Sequence, residues 1–168
     1  LNEVMEKRKD VKVVRPLGFS KCRLSLAIPK EAQYAGVEWF QGKKIATSYP
    51  AILTDFLKNQ GIEADIHVIS GSVEIAPGIG LADGIFDIVS SGSTLVSNNL
   101  REVEVVLDSE AVLISGTSAL SIEKEAVLDE LLFRIEAVKV AENKKYVLMN
   151  VPREKLQAVL AILPGIKS

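Results

Sequence analysis

Glu74 to Leu95 reads EIAPGIGLADGIFDIVSSGSTL, and it holds the residues whose types and spacing could do chemistry. Ile85-Phe86-Asp87-Ile88-Val89 is an apolar strand interrupted by one carboxylate, and it runs straight into Ser90-Ser91-Gly92-Ser93-Thr94, four hydroxyls and a glycine. An acid in the middle of a buried strand has to be compensated, because an unpaired charge out of water costs on the order of several kcal/mol or titrates away. A Ser/Thr/Gly loop past the carboxyl end of a strand supplies N–H groups and hydroxyls to an anion. Together they fit a sugar phosphate, with the loop taking the phosphate and Asp87 the ribose hydroxyls. The same spacing also fits a strand that ends in a Gly/Ser turn with Asp87 on a solvated face. Residue types alone leave both open.

Little else in the chain offers chemistry. Cys22 is the only cysteine, which excludes an internal disulfide and a zinc cluster of cysteine type. It sits in CRLSLAIP, a strand pattern, where a thiol is ordinarily inert packing. His67 is the only histidine and lies inside the expected strand Asp65–Ile69. The net charge of -2 and the pI near 5.6 give no field that draws the chain to nucleic acid or anionic lipid. The basic cluster Lys7-Arg8-Lys9 is flanked by acids and reads as a solvated helix end. No apolar run reaches the ~18–20 residues of a membrane span and no signal peptide is seen, so neither membrane nor nucleic acid is an expected partner and the cytoplasm is the expected compartment.

The elements that position Asp87 and its loop follow an alternating plan. Leu1 to about Lys9 has the spacing of the end of an amphipathic helix, with Leu1, Val4 and Met5 on one side. Val11–Val14 and Cys22–Ile28 are extended, and Glu31–Trp39 is loop with a short turn. Lys43–Thr47 reads as a strand, and Ser48-Tyr49-Pro50 starts a helix with proline in its first turn. Ala51, Ile52, Leu53, Phe56 and Leu57 make that helix's apolar stripe, and Gly61 stops it. Ala64–Ile69 is the next strand. Ser72 is expected to cap a short helix from Val73 to Ile79, and another short helix starts near Thr94. Val103–Leu107 and Ala111–Ser115 read as a hairpin joined by Asp108-Ser109-Glu110. Strand–helix–strand units of this kind build a largely parallel sheet with ligands at the carboxyl ends of its strands. Ser121 to Asn143 is a long helix with Ile122, Val127, Leu131, Leu132, Ile135 and Val138 on one face, for packing or for an interface. A strand Tyr146–Asn150 and a helix from Pro152 to Pro164-Gly165 follow. No strand precedes the first helix and no cap begins it, and one final strand and helix cannot bury a core, so both ends read as cut and the chain as a fragment of a larger protein.

The run Glu74…Gly80-Leu81-Ala82-Asp83…Ile85…Asp87…Ser91-Gly92-Ser93-Thr94-Leu95 resembles the ATP phosphoribosyltransferases that open histidine biosynthesis. The likeness continues through Cys22–Ala27, Gly42–Pro50 and Asn99–Val105. Lys145–Asn150 and Leu163-Pro164-Gly165 resemble the start of the regulatory domain of the long form. The resemblance implies an α/β fold like the type II periplasmic binding proteins, a mixed and largely parallel sheet with flanking helices, plus the first β-α unit of a small C-terminal α/β domain. It divides the chain into a catalytic-lobe region over 1–120, a connecting helix over 121–144 and the start of a truncated regulatory domain over 145–168.

The resemblance also implies a reaction. N1 of ATP displaces pyrophosphate from phosphoribosyl pyrophosphate, with Mg²⁺ on the diphosphate and histidine as feedback inhibitor of the intact protein, and the family assembles as homodimers and hexamers. Ser90, Ser91, Gly92, Ser93, Thr94 and Leu95 are then expected at the 5′-phosphate and Asp87 at the ribose hydroxyls. Asp87 and Glu74 are the catalytic candidates, although an acid in the first turn after Ser72 is also ordinary dipole stabilisation of ~0.3–1 kcal/mol. Thr47, Ser48 and Tyr49 are further candidates for a cleft loop, and equally an ordinary helix start. No metal ligands are assigned. A ligand-binding module of solute-binding or regulator type would share the fold, since function sits in the site, and a scaffold lobe assembling through the long helix is a third reading.

Overall fold

The computed structural model describes residues 1–7, 10–142 and 144–163. The chain divides into two compact units, Leu1–Ser118 and Ala119–Ser168.

In the first unit α1 (Asn2–Lys7) leads into β1 (Val11–Pro16), and β2 (Cys22–Pro29) begins the main sheet. β3 (Lys44–Thr47), α2 (Pro50–Gln60), β4 (Asp65–Val68), β5 (Gly84–Val89) and α3 (Ser93–Ser97) follow, then β6 (Leu100–Ser109) and β7 (Val112–Gly116). The main sheet has five strands in the order β4-β3-β5-β2-β6. β3 is parallel to both β4 and β5, whereas β2 is antiparallel to β5 and β6, so β2 alone runs against the others. Strands β1 and β7 form a separate antiparallel pair.

Proline at the first position and Gly61 in a left-handed conformation bound α2, and the Gly61 amide donates to the carbonyls of Leu57 and Lys58. Ile52, Leu53 and Leu57 are buried from this helix against Leu24, Leu26, Ile28, Ile45 and Phe86 of the sheet. Ala51, expected on the same stripe, faces solvent. The other face of the sheet carries smaller side chains, with Ala27, Ala46, Ile85 and Val89 packing against Val73, Ala76 and Leu95.

The start of α2 is completed from a distance. The Glu6 carboxylate accepts from the amides of Ala51 (2.9 Å) and Ile52 (3.0 Å), two of the donors a helix leaves unpaired in its first turn. Beside it, Asn2 is buried; its Nδ2 donates to Tyr49 Oη (3.0 Å), and its Oδ1 accepts from Ser109 Oγ (2.9 Å). Tyr49 Oη donates onward to Glu3 (3.0 Å). The helix expected to pack through Leu1, Val4 and Met5 is therefore held by Asn2, Glu3 and Glu6, and Met5 is exposed.

Two expectations for this unit are corrected. Val103–Leu107 and Ala111–Ser115 are not a hairpin: β6 pairs with β2 and β7 with β1. Asp108 and Ser109 continue the strand, and the buried Ser109 hydroxyl is committed to Asn2, so this segment crosses between sheets rather than turning. The antiparallel component of the sheet comes from β2. Ser72 does not cap a helix to Ile79: it adopts φ 53° without a side-chain cap, and only a 3₁₀ turn over Val73–Ile75 forms before Pro77, Gly78 and Gly80 interrupt it.

In the second unit α4 (Ile122–Glu142) is followed by a 3₁₀ turn over Arg153–Lys155 and α5 (Leu156–Ile162). α4 buries no residue, and Ile122, Val127, Leu131 and Val138 are exposed. The expected strand Tyr146–Asn150 is not formed: residues 144–150 are irregular, since a strand needs a lateral partner and the described residues of this unit offer none. Pro164-Gly165, Asn143, Arg8 and Lys9 lie outside the described residues. No helix among the described residues is long and apolar enough to cross a membrane.

The packing of α2 predicts an order of effects in urea unfolding. Leu53→Ala should cost about 3 kcal/mol through the cavity it leaves, and Glu6→Ala about 1 kcal/mol through two helix donors left to water. A larger loss for Glu6→Ala than for Leu53→Ala would contradict this ranking.

Candidate functional site

β5 carries Asp87 at its fourth position, opposite Ser25 of β2 in the antiparallel register. A cavity of about 250 Å³ opens at the end of this strand. It is lined by Glu74, Asp87, Ser90, Ser91, Gly92, Thr94 and Leu95, with Ile85, Ile88 and Val89 completing its wall. Residues thirteen positions apart in sequence, Glu74 and Asp87, thus share one cavity with the hydroxyl-rich loop.

The loop leaves its donors unspent. The Ser93 amide donates to Ser91 Oγ (3.3 Å), and the Val96 amide donates to the Gly92 carbonyl (3.2 Å) to begin the hydrogen bonding of α3. The amides of Ser91, Gly92, Thr94 and Leu95 donate to no protein acceptor among the described residues. Gly92 makes the bend with φ 80°, and a Cβ there would meet nothing nearer than Val89 Cγ1 at 3.9 Å. Glycine is needed for the backbone conformation, not for room within the protein. Ser93, expected at the phosphate, does not line the cavity: its hydroxyl pairs with that of Ser91 at 2.9 Å.

Asp87 is half-buried. Burial pushes its carboxyl above the ordinary aspartate range; the Ile88 backbone hydrogen bond opposes this, and the nearby Glu74 charge adds to it. No cation pairs with it among the described residues. Its charge also adds to the elevation of the Tyr49 hydroxyl, which burial first, and then Glu3, push up to about 12.

Sequence reasoning gave no role to the neighbours on the same face of the sheet. Arg23 Nε and Nη2 donate to the two Glu102 oxygens at 2.5 and 2.6 Å, and Ser25 Oγ, fully buried, donates to Glu102 at 2.6 Å. The Arg23 hydrogen bond holds the Glu102 carboxyl below its ordinary value, against the opposing effect of burial. A signal for this group stood in the strand CRLSLAIP. Arg23 and Ser25 are two residues apart, so they share a face, and a charge there requires an acid in reach.

Thr47, Ser48 and Tyr49 are not part of the cavity lining. Thr47 is fully buried and its Oγ1 accepts from the Tyr49 amide (2.8 Å), Ser48 Oγ donates to the Ile69 carbonyl (2.7 Å), and Tyr49 is engaged by Asn2 and Glu3. These hydroxyls shape the start of α2. His67 lies on edge strand β4 with its Nε2 2.9 Å from Asp65, and Cys22 is a free, half-buried thiol.

Residues 1–137 match the family described as ATP phosphoribosyltransferase, and residues 141–168 match the one described as HisG, C-terminal domain. The ATP phosphoribosyltransferase of Parabacteroides distasonis is 69% identical over 167 residues, covering 99% of this chain and 59% of the relative. The chain therefore spans about three-fifths of that protein's length. Among solved structures, the ATP phosphoribosyl transferase (HisG:HisZ) complex from Thermotoga maritima superposes with a TM-score of 0.69 at 26% identity, covering 82% of this chain and 66% of that one. A histidine kinase sensor domain with similarity to periplasmic binding proteins superposes with a TM-score of 0.56 at 15% identity, covering 95% and 66%. That second likeness carries the fold alone, which is the type II periplasmic-binding-protein architecture, and lends no support to a solute-binding role. With a family match over most of its length and a loop whose amides are still open, this chain belongs to the ATP phosphoribosyltransferase family.

Proposed function

We propose that the intact protein is an ATP phosphoribosyltransferase, catalysing the first step of histidine biosynthesis, and that its phosphoribosyl pyrophosphate site is the cavity at the end of β5. One observation carries this reading: the residues of the open loop amides and an aspartate without a cation among the described residues line the same cavity. The amides of Ser91, Gly92, Thr94 and Leu95, with the Ser90, Ser91 and Thr94 hydroxyls, meet the 5′-phosphate oxygens without needing a cation. Ser93 acts one step back, holding the Ser91 hydroxyl. Asp87 accepts from the ribose 2′- and 3′-hydroxyls, with Glu74 assisting on the same side.

In the reaction the lone pair of N1 of the ATP adenine forms a bond to C1 of the ribose. The bond from C1 to the pyrophosphate oxygen breaks, and its electron pair leaves with pyrophosphate. Positive charge grows on the ribose as that bond lengthens, and the Asp87 carboxylate, already aligned, favours it. Mg²⁺ carried by the diphosphate would neutralise charge on the leaving group. Glu74 and Asp87 offer hard oxygen donors, and no larger group of His, Cys, Asp or Glu gathers among the described residues. This donor set suits an ion that keeps its waters and is carried chiefly by substrate phosphates, as Mg²⁺ is. The match of residues 141–168 to the C-terminal domain supports histidine as feedback inhibitor of the intact protein. The reading further gives a cytoplasmic homo-oligomer, a dimer or hexamer.

Calorimetry of the intact protein with phosphoribosyl pyrophosphate and Mg²⁺ tests the site. Asp87→Ala should weaken binding roughly 100-fold, the loss of two hydrogen bonds to a charged acceptor. Gly92→Val should weaken it at least about tenfold, since a β-branched residue is strained at positive φ. Equal affinity in all three proteins would remove the assignment.

The unliganded protein should show the cost of keeping Asp87 ready. A carboxyl whose folded pKa is raised destabilises the fold as pH climbs from the ordinary aspartate value through the folded one, because the native state then holds the proton more tightly than the unfolded chain. Asp87→Asn should therefore raise the thermal midpoint at neutral pH, with the gain shrinking below about pH 4. Glu102→Gln should behave oppositely. Its folded pKa is lowered, so it contributes stability above the ordinary glutamate range that is lost as pH falls. A neutral-pH midpoint lowered by Asp87→Asn would contradict this assignment of charge.

A further inference from the structure

Ser90 follows β5 directly, and its carbonyl is the acceptor the Thr94 amide would take if α3 were wound one turn further back, since helical amides pair four residues upstream. That bond is absent, and Arg23 holds the carbonyl instead: its Nη1 donates to Ser90 O at 3.2 Å. The guanidinium can do so because its remaining edge is fixed on Glu102 through Nε and Nη2, and Glu102 is itself fixed by the buried Ser25 hydroxyl. Three strands meet in this arrangement, β2 through Arg23 and Ser25, β6 through Glu102 and the end of β5 through Ser90.

We propose that Arg23 is a positioning residue for the phosphate loop, turning the Ser90 carbonyl back onto the sheet so that the loop amides are left to a phosphate monoester. This rests on the site reading above. Arg23 does not line the cavity and touches no substrate; it acts through Ser90. Glu102 has a second effect. Arg23 and Ser25 share the face of the sheet that carries Asp87, and Ser25 stands opposite Asp87 in register. A free guanidinium there would be drawn to the aspartate. Pairing with Glu102 keeps the cation on the β6 side, so Asp87 stays available for hydroxyl donors. The direction of the Asp87 shift, upward by burial with no cation opposing it, agrees with this separation. A planar fork is required, because a lysine presents one nitrogen and cannot span two carboxylate oxygens and a carbonyl in fixed directions.

The test uses the intact protein with two changes, Arg23→Lys, which keeps the charge and loses the fork, and the paired Arg23→Met/Glu102→Gln, which removes both charges and leaves neither orphaned. Binding of ribose 5-phosphate is measured by calorimetry, and steady-state KM is measured separately for phosphoribosyl pyrophosphate and for ATP. Both variants should bind ribose 5-phosphate about tenfold more weakly, the loss expected when one loop amide no longer meets the charged phosphate. They should raise KM for phosphoribosyl pyrophosphate similarly while KM for ATP stays within about twofold. Parent-like affinity for ribose 5-phosphate in both variants would overturn the proposal, and so would equal rises in both KM values, which mark a disturbance that is not specific to the phosphate loop. If the parent protein binds no ribose 5-phosphate, the site reading itself falls and the role of Arg23 falls with it.

Discussion

Asp87 is a carboxylate placed in a sheet without a counter-charge among the described residues, and most of the surrounding structure is arranged around that condition. Burial lifts its pKa, the neighbouring Glu74 lifts it further, and only a backbone hydrogen bond opposes them. A protein could relieve such strain cheaply with a nearby cation, and Arg23 lies on the same face. That guanidinium is instead bound on two edges by Glu102 and Ser90. On the proposed reading, the acid is left to be satisfied by something that donates hydrogen bonds and does not belong to the fold. Vicinal hydroxyls on a sugar meet that description. The open amides of the adjoining loop complement it with affinity for an anion. Acceptor and donors side by side are what a phosphorylated pentose requires, and neither half would serve alone.

The scaffold supporting this pair is small-scale and specific. One face of the sheet is packed by α2 through Leu53 and Leu57, which fixes β3 and so the parallel frame in which β5 lies. The other face is packed by alanines and short aliphatics, allowing the segment with Glu74 to approach closely. β2, the one strand running backward, brings Ser25 and Arg23 alongside β5 and reaches Glu102 on β6. Helix α1 adds a polar clamp, with Glu6 on the first turn of α2 and Asn2 between Tyr49 and Ser109. Stability and the site therefore draw on the same strands, with apolar packing beneath and charged hydrogen bonds above.

What could be read from the sequence was what depends on local pattern. The Ile85–Val89 strand, its interrupting acid and the Ser/Gly bend are contiguous, so their proximity needed no tertiary knowledge. Proline before and glycine after α2 marked that helix for equally local reasons. The errors came where partners are distant. Val103–Leu107 and Ala111–Ser115 look like a hairpin until β2 and β1 compete for their edges, and nothing near Asp108 announces that competition. Tyr146–Asn150 has strand residues but no strand beside it among the described residues. Thr47, Ser48 and Tyr49 read equally as a cleft loop and as an ordinary helix start, and their hydroxyls are engaged by partners within the fold, for Thr47 one only two residues away. Arg23 and Glu102 are seventy-nine residues apart, and only the folded sheet joins them. The family likeness supplied what pattern could not, since fixed gaps between Glu74, Asp87 and the loop imply a shared cavity before any coordinates show one.

The central claim is that Asp87 stands uncompensated until sugar hydroxyls reach it. A carbon-13 NMR titration of the Asp87 carboxyl, with and without ribose 5-phosphate, addresses it most directly. The account predicts a midpoint above the ordinary aspartate value in the free protein and a clear downward move when the ligand is present, as hydroxyl donors stabilise the carboxylate. A midpoint that ribose 5-phosphate leaves unmoved would contradict it.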